Sequence, residues 1–223
     1  LLTRFHLARA SWVYNNTGTD AVEELDSVVF YANQVSPLSL QPLFANIFVN
    51  EGPSDAEAIF ELDFNNLDQN ALAVSFDLST PGQKFLARQD LVTAFAARTG
   101  DTRRSATLAP TGRALVKYFR VQNNDDNVEI IRGAEVILNR AEAIARRDFI
   151  LGNPTVSSVV IDGYRTIDAR ALNVPLASIT YAPNSNAQAL QDLLLQRRLE
   201  FVMEGHRWTD LRRNNRMDEG DVP

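Results

Sequence analysis

Glu200 and Glu204 lie in the run from Gln196 to Arg213, QRRLEFVMEGHRWTDLRR. They stand four residues apart, a spacing that puts two carboxylates on one helix face. Such a pair is the equipment of glycoside hydrolysis, in which one carboxyl is the general acid and the other the nucleophile or base. Arg197, Arg198 and Arg207 crowd this pair. Neighbouring cations hold both carboxylates ionised, which disarms a general acid. The run therefore reads as a structural ion network of Arg197, Arg198, Glu200, Glu204, Arg207 and Asp210, one that pins the last helices to the rest of the fold. No catalytic residue is assigned. The two histidines, His6 and His206, sit at opposite ends of the chain without a zinc-type spacing. The oxygen-rich stretches Asp63 to Asp68 and Asp125 to Glu129 lack the glycine and spacing of a calcium loop and read as turns or caps. No metal and no cofactor is expected.

Composition narrows the class further. The chain has 223 residues, 45% of them hydrophobic and 22% charged, enough for a substantial core. The net charge of −6 argues against nucleic acid, which requires a basic surface. The absence of cysteine removes disulfides and thiolate chemistry. Of 22 cationic side chains only Lys84 and Lys117 are lysines. Arginine suits bidentate, partly buried carboxylate pairs. No apolar run approaches the roughly 20 residues that span a bilayer.

Periodicity predicts the elements that must position these groups. Residues 3–16 and 20–34 read as a helical hairpin, with Thr19 or Asp20 capping the second helix. Trp12, Ala21 and Leu25 have a spacing reminiscent of a tetratricopeptide repeat. Residues 37–53 form a connector. Ala58 to Phe64 reads as a strand, and 65–83 as a polar segment ending in the Pro81-Gly82 turn. A short helix follows over 89–97, an Arg/Thr-rich loop over 100–112 and a strand over 115–121. Asn123 to Asn127 is read as a turn capping one long helix from Val128 to Arg147. Helices are expected over 157–172 and through the signature run, with Gly205 as its stop. No domain boundary is evident, so residues 1–223 are taken as one domain. Trp12 and Trp208 are expected in the core.

The run QRRLEFVMEGHRWTDLRR closely resembles the C-terminal signature of the SusD/RagB family, departing from its usual form at Gln196 and Thr209. VEIIRGAEVILNRAEAIARR, from Val128 to Arg147, matches a second family block at Arg132, Ala134, Glu135, Val136, Leu138, Ala141, Glu142 and Ala143. Lys117-Tyr118 and the segment from Asp55 to Glu61 match two more, in the right order. The resemblance covers most of the chain but only the C-terminal half of such proteins, whose N-terminal half carries a lipoprotein signal. It implies a mainly α fold of tetratricopeptide-like hairpins with a few short β-strands and long loops. It also implies a nutrient-binding protein on the extracellular face of the outer membrane, anchored by a lipid outside this chain. Such a protein binds an oligosaccharide, or sometimes a peptide, and hands it to a TonB-dependent transporter of the SusC type.

In that family ligand contacts come from loops, including the region after the first strand. Asn65, Asn66, Asp68, Gln69, Asn70 and Phe76 are chosen here for location and chemistry: amides and acids bond sugar hydroxyls, and an aromatic face stacks on the ring. A helical scaffold for a protein or peptide partner is the alternative, and it requires the region 64–100 to expose no aromatic. A glycoside hydrolase ranks third.

Overall fold

The computed structural model describes residues 1–17, 21–36, 38–49, 55–76, 85–110, 112–120 and 122–214. Thr19, Asp20 and the Pro81-Gly82 turn lie outside them. Among the described residues the helices are α1 (Leu2–Thr17), α2 (Val22–Asn33), α3 (Leu72–Phe76), α4 (Gln89–Ala96), α5 (Arg103–Thr107), α6 (Gly133–Ile150), α7 (Ser158–Leu172), α8 (Asn186–Glu200) and α9 (His206–Arg213). The strands are β1 (Ala58–Leu62) and β2 (Val128–Arg132), so the fold is mainly helical. The chain divides into two compact units: residues 1–38, 133–169 and 174–223, and residues 39–132 and 170–173.

In the first unit α1 and α2 form the expected hairpin. Leu7 and Ala10 on α1 meet Leu25 and Val28 on α2, and Ala143 of α6 closes the cluster. Repeats of three and four residues gather these side chains on one face of each helix. α6 is buried nearly all round, and its inner face is mixed: Ala134, Leu138, Ala141 and Ala145 form one buried row, and Glu135, Asn139 and Glu142 another. α7 crosses α6 closely at Gly163, where an added Cβ would stand 3.0 Å from the Ala141 Cβ. Ser185 caps α8 by accepting a hydrogen bond from the Gln188 N–H, and the Gln188 carboxamide oxygen accepts from Asn184 N–H, a variant of the capping box.

The second unit is built on a short 3-10 turn, Phe44–Phe48, whose Phe44, Ile47 and Phe48 are buried. β1 and β2 pair antiparallel, with Ala58 opposite Arg132 and Leu62 opposite Val128. The stretch 128–132, expected as the start of the long helix, is therefore a strand. Val128, Ile130 and Ile131 are β-branched, and pairing with β1 outweighs their helical continuation. Consequently the turn 123–127 leads into β2 and caps no helix. Among the described residues the strand expected over 115–121 reduces to one bridge, Leu115 with Leu108. The Arg/Thr loop contains α5, held at its start by the buried Asp101–Arg103 pair (2.6 Å).

The two tryptophans depart from expectation. Trp12 is 63% exposed and Trp208 47%. Each sits on the outer face of its helix, so neither contributes to the core. The signature helix also ends earlier than Gly205: α8 stops at Glu200, and Met203 (φ 67°) and Gly205 (φ 77°) both take left-handed backbone in the link to α9. Gly205 supplies that conformation without steric cost.

Candidate functional site

A polar, aromatic-bearing surface forms within the second unit where the segment after β1 meets the segment before β2. Asp126 is buried and organises it. Its carboxylate accepts from Phe119 N–H (3.2 Å) and Arg120 N–H (2.9 Å), and its carbonyl accepts from the Asn70 side-chain amide (2.5 Å). Asn70 N–H donates to Asn124 O (2.8 Å), and Phe64 N–H to the Asn127 side chain (2.8 Å). These bonds tie residues 64–70 to 119–127. Asn124 has φ 54°, and its N–H donates to Arg120 O (2.7 Å).

The result is an open cavity of about 380 Å³ lined by Phe119, Arg120, Gln122 and Asn123. Phe119 is 49% exposed, and the Arg120 guanidinium lies 5.8 Å from its ring centre. Gln122 and Asn123 are exposed amides. An apolar ring face beside amide and guanidinium donors can stack on one face of a sugar ring and bond its hydroxyls.

None of the residues chosen from sequence lines this cavity. Asn70 spends its side chain internally, donating to Asp126 O and accepting from Leu72 N–H (2.8 Å). Asn65 accepts from Leu67 N–H (2.9 Å) and Asp68 N–H (3.1 Å), an Asx turn. Both shape the loop. Asn66 and Asp68 are exposed, and their side chains bond no described residue. Gln69 is exposed with one long bond, 3.3 Å, to Asn66 O. Phe76 is half-buried against Phe85, with ring centres 5.7 Å apart. The sequence reading missed Phe119, Arg120, Gln122 and Asn123. The signal for them was the polar cluster 122–127, whose turn chemistry cannot belong to a strand.

The ion network lies in the first unit. Arg197 binds Asp210 through Nε (3.0 Å) and Nη2 (3.1 Å), and reaches Asn139 Oδ1 through Nη1 (2.6 Å). Arg213 binds both Asp210 (2.8 Å) and Glu142 (2.6 Å). Arg146 Nε donates to Glu142 at 2.9 Å. Arg4 grips Glu135 with a two-bond fork at 2.8 and 2.6 Å. Arg197 and Asp210, both chosen from sequence, thus stand together. Glu200 is fully buried, and Arg198, Glu204 and Arg207 are half-buried. The acidic centre, however, is Glu142 on α6. Burial opposes its ionisation, but Arg213 and Arg146 overcome that and hold the carboxyl down to about 2. Asp210 is likewise held far below its usual range, because Arg197 and Arg213 outweigh its burial. Carboxylates so held cannot deliver a proton near neutrality.

His206, buried at the start of α9, is pushed down to about 4. Burial dominates, and Glu135 at 3.9 Å, which favours the cation, does not overcome it against Arg197 and Arg4. The folded state then binds fewer protons at this site than the unfolded chain once pH falls below 6.5. Stability is accordingly full above that value and is lost as pH falls towards the folded-state value. We expect a loss of about 1.5 kcal/mol between roughly pH 6.5 and pH 5 from this residue. Urea titrations at the two pH values check it: the His206→Gln variant should lose most of that slope, and an unchanged slope would contradict the assignment.

The chain matches the SusD family over residues 43–222. It is 32% identical over 137 residues to the SusD-like protein P38 of Formosa agariphila, a match covering 55% of this chain and 26% of that protein. Among solved structures it is similar to surface glycan-binding protein A from Bacteroides thetaiotaomicron, with TM-score 0.66 and 21% identity over 100% of this chain and 53% of that one. A SusD superfamily protein from Parabacteroides distasonis superimposes with TM-score 0.72 at 18% identity, covering 96% of this chain and 50% of that one. The chain thus spans about half the length of these solved proteins and about a quarter of the curated relative. The family match begins just before the 3-10 turn and takes in Glu142, Arg197, Asp210 and Arg213, and the chain belongs to the SusD family.

Proposed function

We propose that this chain captures oligosaccharides at the surface formed by residues 65–70 with Phe119, Arg120, Gln122 and Asn123, without cleaving them. The observation that carries the reading is the half-exposed Phe119 ring set among the Arg120, Gln122 and Asn123 donors in an open cavity. Asn66, Asp68 and Gln69 present exposed polar groups on the tied segment. Support comes from the solved complex of surface glycan-binding protein A from Bacteroides thetaiotaomicron with laminarihexaose, similar to this chain at TM-score 0.64 and 20% identity over 96% of this chain and 54% of that one. The scaffold alternative required the region 64–100 to expose no aromatic, and Phe85 is 54% exposed. The proposed setting is the extracellular face of the outer membrane, with delivery to a TonB-dependent transporter of the SusC type. Co-purification of such a transporter with the tagged protein from outer membranes tests that part.

Affinity electrophoresis against plant, host and microbial glycans tests the binding itself. Retardation by at least one glycan class, with the glycan recovered at full length, is the expected result. No retardation by any glycan, or release of shortened products, would refute it. Phe119→Ala should weaken the selected glycan about ten- to hundredfold in a calorimetric titration, as loss of a central aromatic contact does. Affinity within a factor of two of the parent would remove Phe119 from the site.

A further inference from the structure

The surface proposed for capture carries an unbalanced charge. Its two segments, joined by the Asn70–Asp126 and Phe64–Asn127 bonds, are residues 63–70 and residues 119–120 with 122–127. They contain four acids, Asp63, Asp68, Asp125 and Asp126, against one cation, Arg120. The resulting formal charge of −3 is half of the net −6 of the whole chain. Asp63 and Asp68 are exposed, and neither side chain bonds a described residue. Asp125 buries an Oδ1 that has no hydrogen-bond partner among the described residues. The Asp126 carboxylate lies directly behind the cavity wall, on the Phe119 and Arg120 N–H groups (3.2 and 2.9 Å). Arg120 already donates through Nη1 to Asp125 O (3.4 Å). Lys117, the next cation back along the chain, is 1% exposed, with its ammonium 4.4 Å from the Phe48 ring centre, so it meets no ligand. Gln122 and Asn123, the other polar residues of the cavity wall, are neutral amides.

Such a balance treats two classes of glycan differently. Carboxylates and amides accept hydrogen bonds from hydroxyl groups, so an uncharged sugar is favoured by each one it reaches. A uronate or a sulfate ester brings like charge to the same surface, and like charge across an interface rejects a wrong partner. We infer that this surface selects uncharged oligosaccharides and discriminates against glycans that carry uronate or sulfate groups. This rests on the capture reading and adds to it the chemical class of the ligand. Because the discrimination is electrostatic, it depends on salt. The screening length is about 30 Å at 0.01 M salt and about 10 Å at 0.1 M, so the effect is largest at the lower concentration.

Affinity electrophoresis of the full chain tests this with matched probes at about 0.01 and 0.1 M salt. Each uncharged glycan of the panel, laminarin and galactomannan among them, is run beside a copy whose primary hydroxyls have been oxidised to carboxylates. Polygalacturonate and heparan sulfate serve as natural polyanions. The expected result is retardation by an uncharged glycan, with its oxidised copy at least about tenfold weaker at the lower salt and the gap narrowed at the higher. Asp63→Asn combined with Asp68→Asn should reduce the low-salt gap at least about threefold. Both side chains are exposed, so the fold is expected to be unchanged. An oxidised copy that binds as tightly, or a gap that ignores salt or the double variant, overturns the inference. So does retardation by the polyanions alone. In each of those cases capture itself stands. Retardation by no glycan at all removes capture and inference together.

Discussion

Glu142→Ala is expected to destabilise the protein by about 3–5 kcal/mol, the cost typical of breaking a buried ion network from one side. Glu142 is fully buried and neutralises Arg213 and Arg146 directly, with Arg197 Nε at 3.6 Å. Its removal leaves these guanidinium groups in the interior with Asp210 as the main remaining anion. For a chain of this size each kcal/mol moves the thermal midpoint by about 2–4 °C, so a fall of roughly 6–20 °C is expected. A midpoint within about 2 °C of the parent would show that water or other acceptors compensate the arginines. The carboxyl is held at about 2, below its ordinary 4.5. Its contribution is therefore present above about pH 4.5 and lost as pH falls towards 2.

A comparable loss is expected for Glu57→Ala in the second unit, again about 3–5 kcal/mol. Glu57 is buried and accepts from Arg132 Nη1 (2.7 Å), Arg170 Nη1 (2.5 Å) and the Gln41 N–H (2.9 Å). Both guanidinium groups also face the Phe44 ring, 5.8 and 5.5 Å from its centre, and the Lys117 ammonium lies 5.4 Å from it. Three cations around one ring require an anion in the same enclosure, since a ring quadrupole supplies only about 0.5–2 kcal/mol each. Trp12 and Trp208 both belong to the first unit, so tryptophan fluorescence would miss this event. Amide exchange over residues 39–132 should accelerate strongly in the variant. Exchange unchanged in that stretch would remove Glu57 from the account of stability.

How far the sequence could be read depended on how local each determinant is. The α1–α2 hairpin was legible because Leu25, Val28 and Ala32 repeat at helical spacing within one element. The strand at 128–132 was not, because its partner β1 lies far back in the chain and Gly133 joins strand and helix without a break. Within the signature run Arg197 and Asp210 are paired. The main anion of the network was not legible, since Glu142 reaches Arg213 across 71 positions of sequence. At the candidate surface, Asn65 and Asn70 looked like ligand contacts by residue type. Asparagine serves turns with the same side-chain groups, and here both residues bond backbone. Phe119 was hidden in an apparent strand. Only the fold reveals that its ring stays half in solvent.

Amide hydrogen exchange of the full chain, with and without the glycan selected by electrophoresis, tests the central claim most directly. Slower exchange at 64–70 and 119–127 on glycan addition, with α8 and α9 unchanged, is the predicted result. Protection confined to α1 and α2, or to α8 and α9, would contradict it and move the binding surface to the helical unit.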